Sequence, residues 1–226
     1  MTVDGPSGAG KGTVSREVAR RLGWRRLDSG ALYRLVGLAA CRLGLDLRDE
    51  ARLAELAASL DAEFLERGGE GQVFLDGAEV TAELRTERAG EAASQVAALP
   101  AVRAALLARQ RAFAEPPGLV ADGRDMGTVV FPEAALKVFL SASAEERAER
   151  RYKQLKEKGI DVSLRDLSRD IALRDRRDAN RPVAPLVPAA DARVIDSTTM
   201  APVEVADRIL KWLQEAGVMS GQVGSE

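Results

Sequence analysis

Nine residues near the start of the chain, Gly5-Pro6-Ser7-Gly8-Ala9-Gly10-Lys11-Gly12-Thr13, constrain its fold more than any other stretch. Thr2-Val3-Asp4 before them reads as a short buried strand, and helix-forming residues follow from Val14. Glycines without a Cβ allow several main-chain N–H groups to turn inward as an anion nest. The following helix adds its positive N-terminal end, and Lys11 adds a point charge for the outer phosphates. Strand, loop, lysine and helix in this order read as a cradle for a nucleoside triphosphate rather than as a glycine-rich turn with no ligand. The hydroxyl residue of the usual pattern is displaced by one place, because Gly12 follows the lysine and Thr13 comes next.

Composition narrows the chemistry. The 226 residues contain no histidine, which excludes Ser-His-Asp and Cys-His nucleophiles and histidine-based zinc hydrolases. What is left is chemistry that works by positioning and charge, such as phosphoryl transfer. A net charge of −2 argues against a general nucleic-acid binder. No apolar run approaches the roughly 20 residues of a membrane span, and a cytoplasmic address is expected. Cys41 is the single cysteine, so no intrachain disulfide is possible, and its apolar neighbours predict a buried thiol. Of the 33 basic residues 27 are arginine, crowded at 147–151 and 165–181, where guanidinium forks suit phosphate or carboxylate.

Periodicity predicts an α/β core. Thr2–Asp4, Trp24–Leu27, Leu119–Asp122, Leu136–Leu140 and Arg193–Ile195 read as short buried strands separated by helical stretches, hence a parallel sheet with ligands at the carboxyl ends of its strands. Between about 56 and 97 the pattern changes to a small antiparallel sheet, with Glu63-Phe64-Leu65, Gln72-Val73-Phe74-Leu75 and a turn at Asp76-Gly77. A helix is expected over Ala97–Phe113, closing at Pro116-Pro117. Ser143 with Glu146, Gly159, and Ser163 with Asp166 mark two further helices, a charged hairpin with few apolar residues that stops before Pro182. Such a hairpin is either a solvated helix pair or a loosely anchored lid that carries arginines over the triphosphate, and the lid is the preferred reading. The tail from Val218 to Glu226 reads as frayed.

The loop resembles the GxxGxGKGT variant of nucleoside monophosphate kinases. Four further blocks follow in order: Leu27-Asp28-Ser29-Gly30-Ala31-Leu32-Tyr33-Arg34, Ala93-Ser94-Gln95-Val96-Ala97, Ala121-Asp122-Gly123-Arg124-Asp125-Met126-Gly127-Thr128-Val129-Val130-Phe131-Pro132 and Asp178-Ala179-Asn180-Arg181-Pro182. With them the chain is similar to the bacterial cytidylate kinases from Val3 to about Trp212, and its extra forty or so residues resemble their longer form. The resemblance implies an α/β P-loop kinase core with a five-stranded parallel sheet, formed by about 1–45, 98–145 and 182–226. It implies a small α+β monophosphate-binding insertion at about 46–97 and a helical lid at about 146–181.

It also implies roles. Gly5, Pro6, Ser7, Gly8, Ala9, Gly10, Lys11, Gly12 and Thr13 would hold ATP, the phosphoryl donor. Ser29, Tyr33, Arg34 and Arg124 match positions that hold the acceptor's phosphate, with Gly123 beside them. Ser94, Arg103 and Asp125 match those that read cytosine, and Arg174, Asp178 and Arg181 those around the sugar and the transferring phosphates. Lys11, Arg124, Arg174 and Arg181 would carry the catalysis, with Mg²⁺ held through water by Thr13 and Asp122 as candidates. The partners implied are ATP, CMP and dCMP, with no nucleic acid, no membrane and a monomeric chain; another monophosphate kinase, such as one for UMP and CMP, is the alternative. Taken singly, Ser29 could be a helix cap, Tyr33 a core aromatic, Arg103 a solvent-facing helix residue and Asp122 a cap on the sheet edge.

Overall fold

The computed structural model describes residues 1–67, 70–157 and 159–218. The chain divides into two compact units, one formed by residues 1–27 and 113–226 and the other by residues 28–112. Residues 219–226, most of the tail expected to fray, lie outside the described part.

The first unit begins with β1 (Thr2–Asp4), the glycine loop, α1 (Lys11–Leu22) and β2 (Arg25–Asp28). Gly10 at φ 89° and Gly23 at φ 64° bracket α1, both in the left-handed region that a side chain disfavours. All three residues of β1 are buried. A strand buried on both faces belongs at the centre of a parallel sheet, and β1 is found there.

The second unit follows: α2 (Ser29–Arg42), α3 (Glu50–Ala58), β3 (Ala62–Arg67), β4 (Glu70–Leu75), β5 (Ala78–Glu79), α4 (Thr81–Leu84), α5 (Glu87–Val96) and α6 (Pro100–Arg111). Its three strands are antiparallel in the order β3-β4-β5. Asp76 (φ 51°) and Gly77 (φ 75°) make the tight turn between β4 and β5, the conformation that Asp-Gly favours. Two helix pairs, α2 with α5 and α3 with α6, pack in this unit. A Cβ on Gly37 would lie 2.9 Å from Ala92 Cβ, so α2 and α5 meet at a contact only glycine permits.

Two sequence expectations change here. The helix expected over Ala97–Phe113 is α6, which starts three residues later at Pro100 and ends at Arg111, and α5 occupies part of the stretch expected as antiparallel sheet. Pro100 takes the first position of α6, whose entry residue Leu99 has no side-chain cap; Glu50 of α3 supplies one by accepting Ala101 N–H at 2.6 Å. Cys41 is exposed, not buried. Ala39 and Ala40 take the inward face of α2, and Cys41 turns outward with Arg42.

The chain completes the first unit with β6 (Leu119–Gly123), a π-helical turn (Met126–Val130), β7 (Lys137–Ser141), α7 (Ala144–Glu157), α8 (Leu164–Ala179), β8 (Arg193–Asp196) and α9 (Pro202–Glu215). The sheet order is β2-β6-β1-β7-β8, with β1 parallel to β6 and β7, and β7 parallel to β8. The expected strands are therefore present, each displaced by two residues or fewer, but the edge strands β2 and β8 bury one residue each instead of being buried throughout, because an edge strand is covered on fewer sides. Val3, Val14, Val18, Val120, Val138, Leu140, Ile195, Ile209 and Leu213 form the core between sheet and helices. Burying each such side chain contributes about 1.5–3 kcal/mol. Gly118 touches the ring of Trp24, where a Cβ would come within 2.5 Å.

Replacing Gly37 by valine should destabilise the protein by about 1–3 kcal/mol, because the added carbons must push α5 away from α2. A thermal or denaturant melt will register this as a lower midpoint with an unchanged transition slope.

Candidate active site

The glycine loop leaves β1 at Gly5, whose φ of 149° and approach to Leu140 (2.0 Å from a Cβ to the carbonyl oxygen) admit no other residue. Three of its carbonyls are tied down. Lys11 Nζ donates to Pro6 O at 2.7 Å, Arg147 Nη1 to Ser7 O at 3.0 Å and Ser197 Oγ to Ala9 O at 3.2 Å. With these oxygens engaged, the alternate peptide N–H groups are available to an anion. Gly10 caps α1 without a side chain and no acidic residue occupies the first turn, so the helix end keeps its positive field.

Lys11 is buried, and its ammonium pKa lies well below the usual value. Burial is the main cause, followed by the positive charge of Arg124, while Asp122 and Asp4 work in the other direction. Arg124 Nε donates to Asp178 Oδ2 at 2.8 Å. Burial acts to raise the Asp178 carboxyl, yet the charge and hydrogen bond of Arg124, with the charges of Arg181 and Arg174, hold it below its ordinary value. Lys11, Arg124, Arg174, Asp178 and Arg181 thus share one electrostatic neighbourhood in the first unit.

Asp122, a candidate for hydrated metal, accepts Arg26 Nε at 3.1 Å and Nη2 at 2.9 Å on one carboxylate oxygen. Thr13 lies exposed on the first turn of α1. Among the described residues no three His, Cys, Asp or Glu side chains form a metal cage. A pair of oxygen donors of this kind suits Mg²⁺ that keeps its waters and is held mainly by the nucleotide's phosphates.

In the second unit, Arg103 is buried, donates to Ala97 O at 3.2 Å and lies over the Tyr33 ring, 5.6 Å from its centroid. Neither a solvent-facing Arg103 nor a purely apolar setting for Tyr33 describes this pair. Ser29 and Ser94 are buried. The cap of α2 is Asp28, which accepts Ala31 N–H at 3.2 Å, so Ser29 is not the cap. Arg34 Nη1 donates to Leu84 O at 2.7 Å.

The helical hairpin is held by polar contacts. Arg147 of α7 is buried, forks onto Asp175 of α8 at 3.1 and 2.6 Å and also donates to Ala142 O. Arg150 donates to Ser197 O at 2.6 Å. The expectation of loose anchoring took scarcity of apolar residues as scarcity of contacts; here a half-buried ion pair does the anchoring. Only half of the expected capping box forms. Glu146 N–H donates to Ser143 Oγ at 3.1 Å, while the Glu146 carboxylate pairs with Arg150 and Ser143 N–H goes to Thr198 Oγ1.

Arg26, Arg147 and Ser197 were not assigned to the site from sequence. Arg147 belongs to the crowded run at 147–151, and Ser197 follows a strand's carboxyl end, where ligands gather in α/β sheets. Those were the available signals.

The sequence profile of the family described as cytidylate kinase matches residues 1–215. The chain belongs to the cytidylate kinase family. It is 60% identical over 219 residues to the cytidylate kinase of Pseudomonas aeruginosa, an alignment covering 96% of each chain. Identity to the cytidylate kinase of Serratia proteamaculans is 58% over 215 residues, covering 95% of this chain and 94% of that protein. For the cytidylate kinase of Vibrio parahaemolyticus it is 58% over 214 residues, covering 95% of both. Among the described residues no helix is long and apolar enough to cross a membrane.

Asp4 gives the cytidylate kinase fold a titratable group at its centre. Burial pushes its carboxyl up from 3.8 to about 6, against the lowering effect of hydrogen bonds from Gly127 and Met126. A raised carboxyl pKa means the folded state favours the protonated form. The contribution is therefore complete below pH 3.8 and is lost as pH rises to about 6. Relative to Asp4→Asn, the wild-type protein should lose about 3 kcal/mol of unfolding free energy across that interval. Denaturant titrations at pH steps from 3.5 to 7 will measure it.

Proposed function

We propose that this cytidylate kinase family member transfers the γ-phosphoryl group of ATP to the 5′-phosphate of CMP and dCMP, releasing ADP and the diphosphate in pyrimidine nucleotide metabolism. The observation that carries the reading is the buried cation cluster around Lys11. Its ammonium is depressed by burial and by Arg124, a cost that a bound polyanion would offset.

In the reaction a 5′-phosphate oxygen of CMP forms a bond to the γ-phosphorus, and the bond from that phosphorus to the β,γ-bridging oxygen breaks. ADP leaves with the electron pair. The acceptor's second pKa is about 6, so it is largely ionised at neutral pH and needs no protein base. That agrees with a chain lacking histidine. Gly5 to Thr13 would cradle the donor's phosphates. Lys11, Arg124, Arg174 and Arg181 would stabilise charge on the transferring group, and Asp178 would orient Arg124 through the 2.8 Å hydrogen bond. Mg²⁺, held through water by Thr13 and Asp122, would neutralise phosphate charge when bound.

Ser29, Tyr33, Arg34, Gly123, Arg124 and Asp125 would serve the acceptor's phosphate and base, together with Ser94 and Arg103. A carboxylate at Asp125 suits the N4 amino group of cytosine and repels the O4 carbonyl of uracil, leaving a buried polar group unpaired if the wrong base binds. We further assign the protein to the cytoplasm.

The deciding experiment is a coupled ADP-release assay over CMP, dCMP, UMP, GMP and AMP. CMP and dCMP should be the fast acceptors, and a preference for purine monophosphates would overturn the reading. Lys11→Met should lower kcat by about 10²–10³-fold with the melting midpoint preserved; near-normal turnover would remove its charge role. Arg103→Met should raise KM for CMP by about 10–100-fold while KM for ATP stays put. The opposite pattern would place Arg103 elsewhere.

A further inference from the structure

Asp4, the last residue of β1, is 5% exposed and has no role in the phosphoryl transfer proposed for this site. Its Oδ1 accepts Met126 N–H at 2.8 Å and its Oδ2 accepts Gly127 N–H at 2.7 Å. Those amides open the π-helical turn that follows Arg124 and Asp125 directly.

The turn lacks a side-chain cap of its own from its entry residue Asp125. Val130 N–H and Phe131 N–H reach back five residues, to Asp125 O at 3.2 Å and Met126 O at 2.7 Å, a wide winding in which Val129 N–H, on Asp125 O at 2.9 Å, makes an ordinary four-residue helical bond. Gly127 is wedged as well. A Cβ there would lie 2.9 Å from Thr2 Oγ1 and 3.2 Å from Lys137 Cδ, so only glycine lets the amide come within reach of Asp4. One carboxylate with both oxygens spent on adjacent amides therefore fastens the turn to the sheet's central strand.

We propose that Asp4 is a positioning residue for phosphoryl transfer: its carboxylate clamps the 126–127 main chain and so fixes the Arg124 guanidinium and Asp125 carboxylate that precede it. The inference rests on Arg124 acting on the phosphates. Asparagine at position 4 has one acceptor oxygen instead of two, so one N–H loses its partner and the clamp becomes a hinge. Misplacing a charged group by about 1 Å can cost on the order of 10²-fold in rate.

The test combines two substitutions. Asp4→Asn should lower kcat with CMP by about 10-fold or more while KM for ATP changes by less than about 2-fold and the protein still melts cooperatively. In an Arg124→Met background the same substitution should cost less than about 2-fold in kcat, because Arg124, the positioned group that acts on the transferring phosphate, is gone, while Asp125 bears on CMP binding and so on KM. An equal cost in both backgrounds, or a wild-type kcat for Asp4→Asn, would overturn the proposal. Wild-type turnover of Arg124→Met alone would instead overturn the phosphate role of Arg124, which is a separate failure. Should Asp4→Asn not fold, Gly127→Ala keeps the carboxylate and displaces the amide. Its cost should likewise shrink in the Arg124→Met background, and an equal cost in both would overturn the proposal.

Discussion

Three main-chain oxygens facing away from the phosphate cradle set the terms for the first unit. A loop of nine residues has no reason to keep its N–H groups pointing one way unless its carbonyls are held in another. Lys11 takes Pro6, Arg147 takes Ser7 and Ser197 takes Ala9. Each of these partners is itself buried, so the loop is braced from α1, α7 and the end of β8 at once. Gly5 pressed on Leu140 completes the brace from β7. The nest is therefore a property of the whole unit rather than of the glycines alone.

The same unit concentrates charge where ordinary proteins avoid it. Burying Lys11 beside Arg124 and Arg174 costs free energy, which the carboxylates of Asp122 and Asp4 offset only in part. A protein can hold such an arrangement when an anion is expected to finish it. The chemistry that follows needs no base and no covalent intermediate, so the absence of histidine and the exposed position of the single cysteine remove nothing that the reaction requires.

The second unit is built on different physics. Close helix contact at Gly37 and Ala92, a cap sent from Glu50 to the start of α6, and Arg103 over Tyr33 join buried leucines such as Leu32, Leu35, Leu53 and Leu106 in a core with several committed polar groups. A guanidinium held over a ring and hydrogen-bonded to a carbonyl has little rotamer freedom left.

Local patterns were legible where they carry their own physical reason. Buried apolar runs marked the three inner strands, Asp76-Gly77 marked the hairpin, and the glycine loop with its lysine marked the entry into α1, because each is decided by residues adjacent in the chain. The start of α6 was set three residues early because its cap comes from Glu50, and Cys41 was misplaced because neighbours in sequence do not say which face of α2 turns inward. Arg147 read as a free lid cation because its partners Ser7 and Asp175 are 140 and 28 residues away. The sequence by itself determined the fold class, the phosphate cradle and the family. Only the tertiary structure decided which charges are spent on the protein, as with Arg26 on Asp122 and Asp4 on the 126–127 amides, since such pairing depends on distances that chain spacing does not encode.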